Sequence, residues 1–135
     1  MQNIVLDTNC LIMSLSPNKP YYRIWQDFLL GRFNLCITND IFEEYLEVIG
    51  RNLSQKYAEY IATILLNSEN VLFFDPHFSF YAIDADPDDN KFVDCAILSN
   101  ARFIVTEDHH FDVLKTVTYP RVDVIGIDEF LKELS

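Results

Sequence analysis

The chain has 135 residues, room for one domain and little else, and 50% of them are apolar. With 14% aromatic residues as well, a packed core is expected and disorder is not. Against 10 Lys and Arg stand 21 Asp and Glu, a net charge of −11. That argues against capture of nucleic acid by bulk electrostatic attraction, but not against a phosphate backbone reached through bound metal ions.

The chain opens directly into Ile4-Val5-Leu6, with no basic segment leading an apolar run, and no apolar stretch approaches the ~18 residues of a membrane span. Cys10, Cys36 and Cys95 are odd in number, unrelated in spacing and flanked by apolar residues, so they read as small buried hydrophobes in a reducing compartment. A soluble, cytoplasmic protein without membrane contact is the expectation.

Short β-like runs alternate with helical patterns, the arrangement of βαβ units. Ile4–Leu6 reads as a strand covered on both faces. Tyr21, Ile24, Trp25 and Phe28 have helical spacing within Tyr21–Leu30, and Gly31 stands where that helix would stop. Leu35–Ile37 is a second strand; capping side chains at Thr38, Asn39 and Asp40 then introduce a helix over Ile41–Ile49, closed by Gly50. A longer amphipathic helix, Leu53–Leu66, precedes a third strand at Val71–Phe74. The most irregular stretch, 75–88, ends in Asp84-Ala85-Asp86-Pro87-Asp88, and a helix is expected from about Asp89 to Ala101. A strand at Phe103–Thr106, a helical piece near Phe111–Leu114, a fifth strand at Val122–Ile125 and a helix at Ile127–Leu134 complete the chain. The expected fold is a three-layer α/β/α sandwich on a mainly parallel five-stranded sheet, one domain over residues 1–135.

In open parallel sheets, ligands bind at the carboxyl ends of the strands, near the switch in strand order. Asp7 follows the first strand and Asp108 the fourth, so both emerge at one edge if those strands are neighbours. In the helix Ile41–Ile49, Ile41, Tyr45, Val48 and Ile49 form the inward stripe, Glu43 and Glu47 point outward, and Glu44 sits at the border. A half-buried carboxylate there is costly unless it meets a metal, a donor or water. Asp89 shares the inward face of the next helix with Phe92, Val93 and Ala96, in the favourable field of the helix N-terminus. Asp94 is a second choice near the edge of the exposed face, and Asp88 is a cap.

Each acid also has a plain reading: Asp7-Thr8-Asn9 as a turn, Glu44 as a solvated helix residue, Asp89 as a cap and Asp108 as a loop residue. Asp84 and Asp86 read as solvated loop acids, and His109 and His110 as surface residues. Gathered in one pocket, however, the acids cannot all stay ionised without a counter-charge. No Cys/His cluster has zinc spacing, so oxygen ligation points to Mg²⁺ or Mn²⁺, ions that polarise a phosphodiester and activate water.

Four segments carry a resemblance: Ile4-Val5-Leu6-Asp7-Thr8-Asn9, Ile41-Phe42-Glu43-Glu44-Tyr45-Leu46-Glu47-Val48-Ile49, Asp86-Pro87-Asp88-Asp89-Asn90-Lys91-Phe92, and Ile104-Val105-Thr106-Glu107-Asp108. Together, in this order, they resemble the PIN domain, and more narrowly the VapC-like ribonucleases of bacterial toxin–antitoxin pairs. The resemblance implies a Rossmann-like sheet and metal-dependent cleavage of RNA. It implies Asp7, Glu44, Asp89 and Asp108 as metal-binding acids, and supporting roles for Asn9 and Thr106. It also implies a cognate antitoxin and a homodimer, for which the helix Leu53–Leu66 offers a surface. Two departures are visible: Glu107 stands where relatives commonly have glycine, and the Asp88-Asp89 doublet blurs the third acid by one position.

Other functions fit less well. A haloacid-dehalogenase-like phosphotransferase would want a second aspartate two residues after Asp7, where Asn9 stands. Gly31, Gly50 and Gly126 cannot make a dinucleotide-binding turn. The non-enzymatic alternative is an interaction module that kept the fold and acids without turnover. Lys19, Arg23, Arg51, Lys56 and Lys91 could reach phosphates, but they form no basic stripe.

Overall fold

The computed structural model describes residues 1–76, 87–117 and 121–135. Residues 77–86, with Asp84, Asp86 and most of the irregular stretch, lie outside that set. The strands are β1 (Asn3–Leu6), β2 (Asn34–Ile37), β3 (Val71–Phe73), β4 (Phe103–Val105) and β5 (Val124–Ile125). They form one five-stranded sheet in the order β3-β2-β1-β4-β5, every pairing parallel. The α-helices are α1 (Thr8–Ser14), α2 (Tyr22–Leu29), α3 (Asn39–Asn52), α4 (Gln55–Asn67), α5 (Asn90–Ser99) and α6 (Ile127–Glu133), arranged on both sides of the sheet.

β1 and β4 are central, and their side chains are buried almost throughout, as expected for strands covered on both faces. Their register pairs Leu6 with Val105, so the next residue of each chain segment leaves the sheet at the same edge. The ladder continues one step further: the Asp7 N–H donates to the Val105 carbonyl at 3.0 Å and the Thr106 N–H to the Ile125 carbonyl at 3.0 Å. Between β1 and β4 the connections diverge, one toward β2 and β3 and the other toward β5, which makes this pair the switch point of the sheet.

Several boundaries differ from the sequence reading. α1 has no counterpart among the elements expected from the sequence. It has only seven residues and buries Thr8, Cys10, Leu11 and Ser14, too short a pattern for helical periodicity to stand out. α3 runs through Gly50 to Asn52, because packing against α4 outweighs the weak helical preference of glycine. α4 begins at Gln55, with the Ser54 hydroxyl accepting from the Tyr57 N–H, so Leu53 belongs to the link. α5 stops at Ser99, where Asn100 takes the left-handed conformation (φ 52°). The helical piece after Asp108 is a 3-10 turn over His109–Thr116, and β5 is limited to Val124–Ile125.

The core gathers Trp25, Phe28, Phe33, Phe92, Phe111 and Phe130 with the aliphatic residues of the strands. All three cysteines are buried and unpaired. Among the described residues no helix is long and apolar enough to cross a membrane.

Candidate metal centre

The site is assembled from the ends of two strands and the flanks of two helices. Asp7 occupies the N-cap position of α1 and is buried (9% exposed). Beside it Thr106, also buried, donates its hydroxyl to Asp7 Oδ2 at 2.7 Å and accepts from the Asp108 N–H at 3.0 Å. One hydroxyl thus ties the first acid to the backbone of the last. Burial pushes the Asp7 carboxyl above its ordinary value, against the lowering effect of Thr106 and the Thr8 N–H, and repulsion from Asp108 and Glu44 adds to the rise.

α3 delivers Glu44. Thr38 caps this helix, and the fully buried Tyr45 donates its hydroxyl to the Leu6 carbonyl at 2.6 Å, fastening α3 to the end of β1. The preceding residue is thereby held at the rim of the cleft. There the Thr8 hydroxyl donates to Glu44 Oε2, and Lys91 Nζ donates to Glu44 Oε1 at 2.6 Å.

α5 delivers Asp89 through the single 3-10 turn Pro87–Asp89 that precedes it. Asp89 is buried, whereas Asp88 is exposed and lines an acidic groove with Asp40, Glu43 and Glu44. Phe111 is buried edge-on against Phe92 (centroids 6.5 Å apart), which holds the turn after β4 against α5. Its neighbour His110 therefore faces the acids: Nδ1 lies 3.1 Å from Asp89 Oδ2 and 3.4 Å from Asp108 Oδ1, while the His110 N–H donates to Asp108 Oδ1 at 2.9 Å. One ligand atom each from Asp89, Asp108 and His110 lies within 4.8 Å of the others. This donor set, carboxylate oxygens with one imidazole nitrogen, fits a divalent cation and differs from the oxygen-only ligation expected from the sequence.

The structure thus ties Asp7 to the Asp108 backbone through Thr106, sets Asp89 and Asp108 against His110, and holds Glu44 on the Thr8 hydroxyl, one residue from Asp7. Asn9 is exposed in the first turn of α1. Asp94 is buried, not at the edge of an exposed face, because α5 is packed against β1, β2, β4 and α3 and has little solvent side. It is not among the three convergent ligand atoms. Glu107 is exposed and directed at Gly126, where a Cβ would come within 2.9 Å of its carboxylate.

Three members escaped the sequence reading in the positions they take. The sequence places Thr8 in a turn motif, Lys91 as the cation nearest the acids without assigning it a partner, and His110 at the surface. Adjacent histidines cannot face the same way, and His109 turns out to Asp112, 3.2 Å away. The available signal was the buried Phe111 next in line.

Fold and cleft define a doubly wound parallel α/β domain with a cluster of acids at its switch point. Residues 3–110 match the family model of the PIN domain, and the chain belongs to that family. Among solved structures it is similar to VapBC2 from Rickettsia felis bound to a promoter DNA fragment, at 15% identity and a TM-score of 0.63, covering 92% of this chain and 98% of that one. It is similar to DNA-bound VapBC from Salmonella typhimurium, at 18% identity and a TM-score of 0.62, covering 94% and 99%. FitAcB from Neisseria gonorrhoeae matches at 19% identity and a TM-score of 0.57, covering 92% and 97%. These likenesses are of fold. No curated protein matches by sequence.

Proposed function

We propose that this chain is a divalent-metal-dependent endoribonuclease, the toxin of a toxin–antitoxin pair restrained by a cognate protein. The observation that carries the reading is the convergence of Asp89, Asp108 and His110 in a PIN-family domain, with Asp7 tied to the Asp108 backbone through Thr106. The similar structures described as VapBC and FitAcB support the antitoxin partner.

In this reading Asp89 and Asp108, with Asp7 behind them, hold Mg²⁺ or Mn²⁺, and His110 borders the same position. When bound, such a cation supplies Lewis acidity to a phosphodiester and stabilises charge on the leaving oxygen. The protein's part is positioning. Thr106 fixes the rotamer of Asp7 and the backbone of Asp108 with one hydroxyl, and the Phe92–Phe111 contact sets the spacing of Asp89 from Asp108. Displacement is by water, with no covalent intermediate on the protein. The strongly negative surface disfavours RNA held by charge alone, so affinity for substrate depends on the bound cation.

The test is a labelled RNA assay with the purified chain in Mn²⁺ or Mg²⁺. Cleavage that is abolished by chelator and by Asp108→Asn supports the proposal. Metal binding without cutting across varied RNAs refutes it and favours a silent interaction module.

A further inference from the structure

Of the three residues whose ligand atoms converge in the cleft, two offer carboxylate oxygens and His110 offers an imidazole nitrogen. His110 Nδ1 stands 3.1 Å from Asp89 Oδ2 and 3.4 Å from Asp108 Oδ1. A ring nitrogen carries at most one hydrogen, so it donates to one of these oxygens at a time. A cation between them engages all three at once: neighbouring ligands of an octahedral ion at about 2.1 Å are separated by about 3.0 Å, close to both spacings. The ring is held by the contacts that space the two acids. The His110 N–H donates to Asp108 Oδ1 at 2.9 Å, and the next residue, Phe111, packs edge-on against Phe92 of α5, the helix for which Asp89 is the N-cap residue. Charge balances as well: two carboxylates cancel one divalent ion, and a neutral imidazole adds a ligand without a further negative charge beside Asp7 and Glu44.

We infer that His110 Nδ1 is a ligand of the metal in this cleft, and that this nitrogen turns the preference of the site from Mg²⁺ toward first-row transition ions. The inference rests on the reading of the cleft as a metal centre and deepens it. Mg²⁺ takes oxygen ligands and gives up its water reluctantly, whereas imidazole suits the transition ions. Affinity for those ions rises from Mn²⁺ to Cu²⁺, so Mn²⁺, at the foot of the series, is the most stringent probe of the preference. On ligation the ring proton resides on Nε2. The His110 side chain is 49% exposed, so its replacement opens no cavity in the core.

The experiment is pulsed electron paramagnetic resonance of Mn²⁺ bound to the full chain without RNA, with calorimetric titrations of Mn²⁺ and Mg²⁺ alongside. Wild type should show the nitrogen hyperfine coupling of a directly bound imidazole, a readout that needs no variant. His110→Asn keeps the residue neutral and offers an amide oxygen; it should lose the coupling, and its preference for Mn²⁺ over Mg²⁺ should fall at least about tenfold. His109→Asn should keep both, because that ring faces Asp112. Bound Mn²⁺ without nitrogen coupling in wild type, coupling that survives in His110→Asn, or an unchanged preference in that variant overturns the inference; no Mn²⁺ binding overturns it together with the metal centre. RNA cleavage is measured separately, so the two readings fail apart: nitrogen-bound Mn²⁺ without cleavage sinks only the nuclease proposal, and cleavage with oxygen-only ligation sinks only the role of His110.

Discussion

Asp7→Asn separates the cost of the site from its use. The substitution keeps the shape of the side chain and removes a buried charge that also faces Asp108 and Glu44. The amide can accept from only one of the two donors the carboxylate now engages, Thr106 and the Thr8 N–H, a loss of about 1 kcal/mol. Relief of desolvation and repulsion acts in the opposite direction, and single stabilising substitutions commonly gain about 0.5–2 kcal/mol. The net expectation for the metal-free protein at pH 7 is a gain on the order of 1 kcal/mol, or about 4 °C in melting temperature for a chain of this size. The sign with pH follows from the raised carboxyl. Its folded value exceeds its unfolded one, so wild-type stability from this group is fully present below the unfolded value and is lost as pH rises through the folded one. The advantage of Asn should therefore be largest near neutrality and vanish in acid. Melting curves of both proteins in chelator across this range provide the assay. An Asn variant less stable than wild type at neutral pH, or a difference independent of pH, would refute the reasoning.

Thr106→Val removes the hydroxyl linking Asp7 to the Asp108 backbone; it should cost about 1–3 kcal/mol in denaturant melts and lower RNA cleavage, and full activity would count against the positioning role. Tyr45→Phe leaves the Leu6 carbonyl without its 2.6 Å donor and should destabilise by about 1–2 kcal/mol in the same melts. Gly126→Ala should be nearly neutral, within about 0.5 kcal/mol, because the Cβ meets only the mobile end of exposed Glu107 and the backbone φ of −78° suits any residue. Burial pushes the Cys10 thiol up to about 12 and the Cys95 thiol higher still, so a thiol reagent should label the native protein at neutral pH only as fast as it unfolds; rapid labelling would contradict the packing.

The sheet was legible because its central strands are unbroken apolar runs, Ile4–Leu6 and Phe103–Val105, each followed at once by a polar residue that marks the edge. Glu44 could be placed at the rim because Ile41, Tyr45 and Ile49 define the buried stripe of α3 unambiguously. The same reasoning failed for Asp94, since α5 is enclosed on several sides and helical periodicity loses its contrast there. It also could not find the Thr8–Glu44–Lys91 chain of contacts, which joins segments 36 and 47 residues apart through side chains that look generic singly. His110 became a member of the site through the docking of Phe111 on Phe92, a tertiary contact whose one trace in the sequence is the apolar residue beside the histidine.

Anomalous diffraction from a crystal soaked in Mn²⁺ asks most directly whether this cleft is a metal centre. A peak is expected at coordinating distance, about 2.0–2.3 Å, from carboxylate oxygens of Asp89 and Asp108. Manganese bound elsewhere, or none at saturating concentration, would contradict it.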